Sequence, residues 1–166
     1  MTSVQEHETN NIDLSIDDPE LVKRMVDYLY TSDYAGLVEK GSIFNGDDPQ
    51  SEVYGYSGTN YMLHARMYVL GDKFDIPKLR RHATFKLRTL LSQSRVGNFK
   101  HSDFINIMRF AFDSTSENDK ELRPLILAEA KLHLSGLMRN QDFSGSFRKL
   151  LTEMPDLAWQ ILDRCI

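Results

Sequence analysis

The segment YMLHARMYVLGDKFDIPKLRRHA, residues 61–83, constrains the fold more than any other part of the chain. Through 61–74, apolar side chains point almost all the way round a helical wheel. Leu63, Met67, Leu70 and Phe74 share one side, Met62 and Val69 another, and Tyr61, Ala65 and Tyr68 a third. Only Arg66 with Lys73, and His64 with Gly71, leave polar or bare strips. A helix that is apolar nearly all round is buried among neighbours rather than laid on a surface. Asp75-Ile76-Pro77 then interrupts it. Pro77 has no N–H and pushes Ile76 out of the helical region. Proline is favourable at the first position of a new helix, and Asp75 suits the positive end of that helix. The pattern predicts a stop and a restart, in which a buried helix is covered by its successor. The second helix is expected from about Pro77 to Leu91, with Leu79, Ala83, Leu87, Leu90 and Leu91 inward. Gly71, in the buried helix, weakens it by about 1 kcal/mol relative to alanine.

The remaining patterns are mostly helical. Residues 1–11 are polar and expected to be disordered. Ile12-Asp13-Leu14-Ser15-Ile16 alternates apolar and polar, which predicts a short strand. Asp18 can cap a helix that Pro19 opens and whose first turn Glu20 favours. Leu21, Val22, Met25, Tyr28 and Leu29 give that helix one apolar face, and it ends within Tyr30-Thr31-Ser32-Asp33-Tyr34. Residues 35–60 hold five of the nine glycines and read as a loop insertion, with a short strand signal at Glu52-Val53-Tyr54.

Turn-forming residues at 92–98 mark a boundary, and 93–101 reads as a linker. Beyond it, His101-Ser102-Asp103 caps a helix with Phe104, Ile107, Met108, Ala111 and Phe112 inward. A loop at 114–119 precedes a long helix from about Leu122 to Met138, with Ile126, Ala130, Leu134, Leu137 and Met138 inward. Two shorter helices follow, over 143–151 and 155–166.

Several kinds of chemistry lack their residues. The five histidines are scattered and there is one cysteine, Cys165, so no zinc spacing and no internal disulfide arise. No glycine run forms a phosphate cradle. Asp17, Asp18 and Glu20 are explained by the start of a helix. His101, Ser102 and Asp103 are adjacent in sequence, whereas a catalytic triad is a spatial arrangement. The expectation is a protein without catalysis, cofactor or metal. Net charge is −4, which offers no general attraction to nucleic acid or an anionic membrane. The basic residues Lys78, Arg81 and Arg88 fall on the solvated side of their helix. With no secretory signal and no apolar run of the ~20 residues needed to span a bilayer, an intracellular location, cytoplasmic or nuclear, is expected. Among the aromatics, Tyr28 suits a core, while Tyr30 and Tyr34 lie where the helix ends. One of those two is expected at the surface, where a tyrosine can anchor a contact.

Two motifs in order, IDLSIDDPELVKRMVDYLYTSDY (12–34) and HARMYVLGDKFDIPKLRRHATFKL (64–87), resemble a BTB/POZ domain of the kind common in fungal proteins. The likeness covers about 12–92, interrupted by the 35–60 insertion. Segment 102–166, with Leu122-Arg123-Pro124 and Pro155-Asp156-Leu157, resembles the helical extension that follows such domains. Ser32 stands where the family pattern has Gly, Gly71 where it has Ala, and Phe74 where it has Tyr. The resemblance implies a mainly α chain: a partial BTB/POZ fold, a short strand plus helices, followed by a C-terminal helical bundle. The residues before Ile12 are too few for the N-terminal half of the family fold. The usual dimerisation elements are therefore not expected in this sequence, whether through truncation or in a reduced variant, although self-association stays open to the chain. Leu63, Met67 and Phe74 are expected either to repack or to expose apolar surface.

The function implied is protein–protein interaction, as an adaptor that docks on the cullin scaffold of a ubiquitin ligase. Carried over to this chain, the cullin contact falls on Arg24 and Tyr30, with Tyr34 nearby. The alternative is a transcription- or chromatin-associated BTB factor, although no zinc finger or basic arm accompanies the domain. Partners are thus expected to be other proteins, with no nucleic acid and no membrane.

Overall fold

The computed structural model describes residues 17–36, 58–94, 101–139 and 141–163. The chain is mainly α. Its described helices are α1 (Pro19–Thr31), α2 (Gly58–Lys73), α3 (Pro77–Ser94), α4 (His101–Ser114), α5 (Leu122–Arg139), α6 (Gln141–Glu153) and α7 (Pro155–Asp163). No strand occurs among the described residues. The terminus 1–11 expected to be disordered, the strands expected at 12–16 and 52–54, most of the expected 35–60 insertion and residues 95–100 of the expected linker lie outside them. The insertion is shorter than its glycines suggest, because residues 58–60 already belong to α2. Residues 101–103 form the first turn of α4 rather than preceding it.

The chain divides into two compact units, Met1–Ala35 and Gly36–Ile166. In the first, Asp18 caps α1 by accepting the Glu20 N–H at 3.0 Å, and Pro19 occupies the opening turn. Met25 and Tyr28 are buried while Leu21 and Val22 are half-buried, as the spacing predicts. Leu29, expected on the same face, is instead exposed. Its direction lies about 100° from that of Tyr28 on the wheel, at the margin of the buried arc.

The helix stops at Ser32, a left-handed residue with φ 61° and ψ 16°, whose N–H donates to the Tyr28 carbonyl at 2.7 Å. Left-handed backbone costs an L-residue about 1–2 kcal/mol, a penalty glycine does not carry. Ser32→Gly is therefore expected to stabilise α1 by about 0.5–1 kcal/mol, after the greater freedom of glycine in the unfolded chain is subtracted. Slower amide exchange at Tyr28 and Leu29 reports the gain. Unchanged or faster exchange contradicts it.

In the second unit α2 is central, packing most extensively on α3 and also on α4. Tyr61, Leu63, Ala65, Met67, Tyr68 and Leu70 are buried on several sides of one helix, as the wheel requires. Leu63 and Met67 are covered, and Phe74 is half-buried. These residues are covered by neighbouring helices rather than left as exposed apolar surface.

The corner between α2 and α3 is a Schellman motif. Asp75 is left-handed at φ 49°, the Ile76 N–H donates to the Gly71 carbonyl at 2.7 Å, and the Asp75 N–H donates to the Asp72 carbonyl at 3.2 Å. Pro77 opens the next helix one residue after the motif closes. An ion pair at 2.5 Å between Arg80 and Asp72 spans the corner. Leu79, Ala83, Leu87 and Leu91 bury one face of α3, while Leu90 is only half-buried.

The later helices close the bundle around Phe104, Ile107 and Met108 of α4, Leu122 and Ile126 of α5, Phe147 and Leu150 of α6, and Leu157 and Ile161 of α7. Two polar ties bind the bundle together. The Tyr68 hydroxyl donates to Asp119 at 2.5 Å, and the other oxygen of that carboxylate accepts the Arg123 N–H at 2.7 Å, satisfying a donor in the first turn of α5. Burial, and then the hydrogen bond to Asp119, push the Tyr68 phenol above its ordinary range. Arg109 of α4 pairs with Glu153 of α6 at 2.5 Å.

Candidate interaction surface

Among the described residues, no three or more His, Cys, Asp or Glu side chains gather as a metal site would require. No helix among them is long and apolar enough to cross a membrane. One candidate surface lies on α1.

Val26, Leu29 and Tyr30 are 40%, 58% and 86% exposed. At spacings of three and four residues they form one stripe on α1, displaced from the buried arc of Met25 and Tyr28. Lys23 and Asp27, both exposed and of opposite charge, border the stripe on its Tyr30 side. An exposed apolar stripe with a polar border along one side is the geometry of a contact patch, and the tyrosine at its C-terminal end presents a rigid ring and a hydroxyl to a partner.

The three residues carried over from the family pattern separate in the structure. Tyr30 is the surface tyrosine. Tyr34 is 2% exposed, so the expectation of a contact role for it is corrected. It packs edge-on against Tyr28 with ring centroids 6.5 Å apart, and its N–H donates to the Asp33 carboxylate at 2.7 Å. Burial, then the neighbouring Asp33 charge, push its phenol well above the usual tyrosine range. Helical periodicity does not extend past Thr31, so it could not place a residue in the turn.

Arg24 has a side chain only 14% exposed and is engaged within the chain. Its guanidinium pairs with Glu20 at 2.6 Å and donates through Nε to the Ala35 carbonyl at 3.3 Å. It thus tethers the turn after α1 to the body of that helix. Arg24 and Tyr30 point about 120° apart around α1, so one flat contact does not take in both equally. Leu29 and Val26 are the residues that sequence reasoning missed. Val26 follows from the same wheel, which places it next to Tyr30. Leu29 does not, because it sits at the edge of the buried arc.

No family model, no curated protein and no solved structure matches the chain.

Proposed function

We propose that this chain is a protein–protein interaction module built on a partial BTB/POZ fold with a C-terminal helical extension. In this reading it works as an adaptor without catalysis, and the partner to test first is a cullin-type scaffold. The observation that carries the reading is the exposed stripe Val26, Leu29 and Tyr30 on α1, the helix on which the family resemblance lays its contact. The stop-and-restart corner at 75–77 supports the resemblance, since it falls within the second of the two motifs. Tyr30 is the central contact. Arg24 holds the turn that follows the contact helix and acts through the shape of the surface.

The test is affinity capture from an extract of the cells that make the protein, followed by mass spectrometry. The native chain is expected to retain a cullin, and Tyr30→Ala is expected to lose it. A truncated anchor tyrosine at a contact costs about 2 kcal/mol or more, roughly thirtyfold in affinity. Tyr30 is a surface residue, so the variant keeps its fold, and an unchanged melting curve checks this. Capture of chromatin proteins instead, together with a DNA mobility shift at low salt, moves the assignment to the transcription-associated alternative. Equal capture of every protein by native and variant chains removes the α1 surface from the proposal.

A further inference from the structure

A second surface lies wholly within the second unit. Helices α3 and α5 border a cleft of about 780 Å³. Its α3 wall carries Arg81, Phe85 and Arg88, and its α5 wall carries Leu125, Ala128 and Leu132. Phe85 and Leu132, one from each wall, line the cleft and are 66% and 60% exposed, so together they leave apolar surface in it open to solvent. Arg81 and Arg88 are seven residues apart, so they stand two turns, about 10 Å, from one another with Phe85 between them. Both are exposed, and neither makes an ion pair or side-chain hydrogen bond with any described residue.

Lys120, also exposed, adds a third cation to the lining. Two acids share the lining. Glu129 is 4% exposed, with its carboxylate 3.7 Å from His133 Nε2, and Glu121 is half-buried. The charge presented to solvent is thus three cations against one partly covered carboxylate. This local excess is opposite in sign to the chain's net −4. The feature is a greasy floor under a cationic rim, on a protein that is acidic overall.

We propose that the cleft between α3 and α5 is a docking groove for an acidic amphipathic helix of a partner protein. Along α3 the groove runs from Arg81 to Ser92, about 16 Å, which matches three turns of a docked helix. Two carboxylates seven residues apart on that helix meet Arg81 and Arg88. Bulky apolar residues three and four positions inside them fill the space between Phe85 and Leu132. Arginine suits this role because its guanidinium is weakly hydrated, binds carboxylate in a fork, and stays charged. The partner's acidity supplies specificity and encounter rate, and the apolar floor supplies most of the affinity.

The inference rests on the interaction-module reading but uses different residues, so the two can fail separately. The probe is a displayed library of random 16-residue peptides selected on the full chain. Enriched peptides are then measured by fluorescence polarisation. The expected result is enrichment of Asp and Glu together with Leu, Phe or Met at spacings of three and four. Affinity is expected to fall about tenfold or more in the double variant R81E/R88E, and similarly in Phe85→Ser. Tyr30→Ala leaves peptide affinity unchanged. All three targeted residues are exposed, and matching thermal unfolding of the variants shows that their folds are intact.

No enrichment, enrichment of neutral or basic peptides, or equal binding by R81E/R88E overturns the proposal. So does a gain in affinity confined to phosphorylated peptides or DNA. Self-association of the native chain by light scattering, lost in R81E/R88E, assigns the groove to a second copy and overturns it too. If the groove fails while Tyr30-dependent capture persists, the module reading stands without it.

Discussion

Arg123→Ala is expected to destabilise the bundle by about 3 kcal/mol, seen as a fall in the urea midpoint with no change of slope. Arg123 is 7% exposed, an uncommon place for a guanidinium. It is held by acceptors at the C-terminal end of α4. Its Nη2 donates to the Phe112 carbonyl at 2.8 Å and also to the Thr115 carbonyl, and its Nε donates to the Thr115 hydroxyl at 2.9 Å. The guanidinium carbon lies over the Phe112 ring, 4.6 Å from its centroid.

The last carbonyls of a helix have no partners within it and carry the negative end of its dipole. Arg123 supplies both the missing donors and the opposite charge, from the first turn of α5, so one side chain joins the end of one helix to the start of the next. Removing it leaves the buried Phe112 carbonyl without this donor, at a cost of about 1–3 kcal/mol, and takes a donor from the two part-buried Thr115 acceptors as well. It also empties the space above Phe112.

Two further variants separate the causes. Arg123→Met keeps the apolar stem and restores only the packing part of the loss. Arg123→Lys keeps the charge but cannot direct donors to three acceptors from one planar fork, so it recovers less than half. A loss under about 1 kcal/mol for the alanine variant means that water reaches these carbonyls and that the tie is incidental.

This arginine shows where sequence reading stopped. Helical periodicity assigns a charged residue to the solvated face unless something says otherwise. What says otherwise is the position of the end of α4, which no pattern within α5 reports. The same limit applies to Glu129, buried in α5, and to the cleft bordered by Phe85 and Leu132. Each is a property of two helices distant in sequence. The parts that were legible depend on one segment alone. Pro77 marks the restart because its missing N–H acts locally. Residues 61–74 read as buried because a helix apolar on every side has no face left for water. Leu79, Ala83, Leu87 and Leu91 follow from spacing. On α1 the boundary cases failed in both directions. Leu29 was expected inside and lies outside, and Tyr34 was carried over as a contact residue and is buried. One sits at the rim of the buried arc and the other beyond the last helical turn, where a wheel has no authority.

Gly71→Leu is expected to cost about 3 kcal/mol, near the upper end of the overpacking range, whereas Gly71→Ala is expected to change stability by less than about 1 kcal/mol. Read from sequence, Gly71 is only a weak point in a buried helix. In the structure the first turn of α3 packs closely against it. A Cβ there would lie 3.1 Å from both the backbone N and the Cγ of Arg80, and 3.3 Å from Leu79 Cγ. For alanine, the helix-forming gain of about 1 kcal/mol is offset by these contacts, because a backbone atom in the first turn of α3 has little room to retreat.

Leucine has no such balance. Its side chain would have to enter the turn at 79–80, so α3 must swing away. Three features resist that motion together: the Ile76–Gly71 hydrogen bond of the corner, the Asp72–Arg80 ion pair, and the seating of Leu79, which is 0% exposed. Urea unfolding of the two variants distinguishes a pinned contact from a merely weak helix. If α3 is pinned, alanine is near neutral and leucine severe. If α3 is free to shift, alanine gains the full increment of about 1 kcal/mol and leucine costs little more than its fit requires. Because α3 also forms the basic wall of the cleft, a swing large enough to admit leucine separates Arg81 and Arg88 from α5. Peptide binding there is then expected to weaken together with stability, although Gly71 lines no part of the groove.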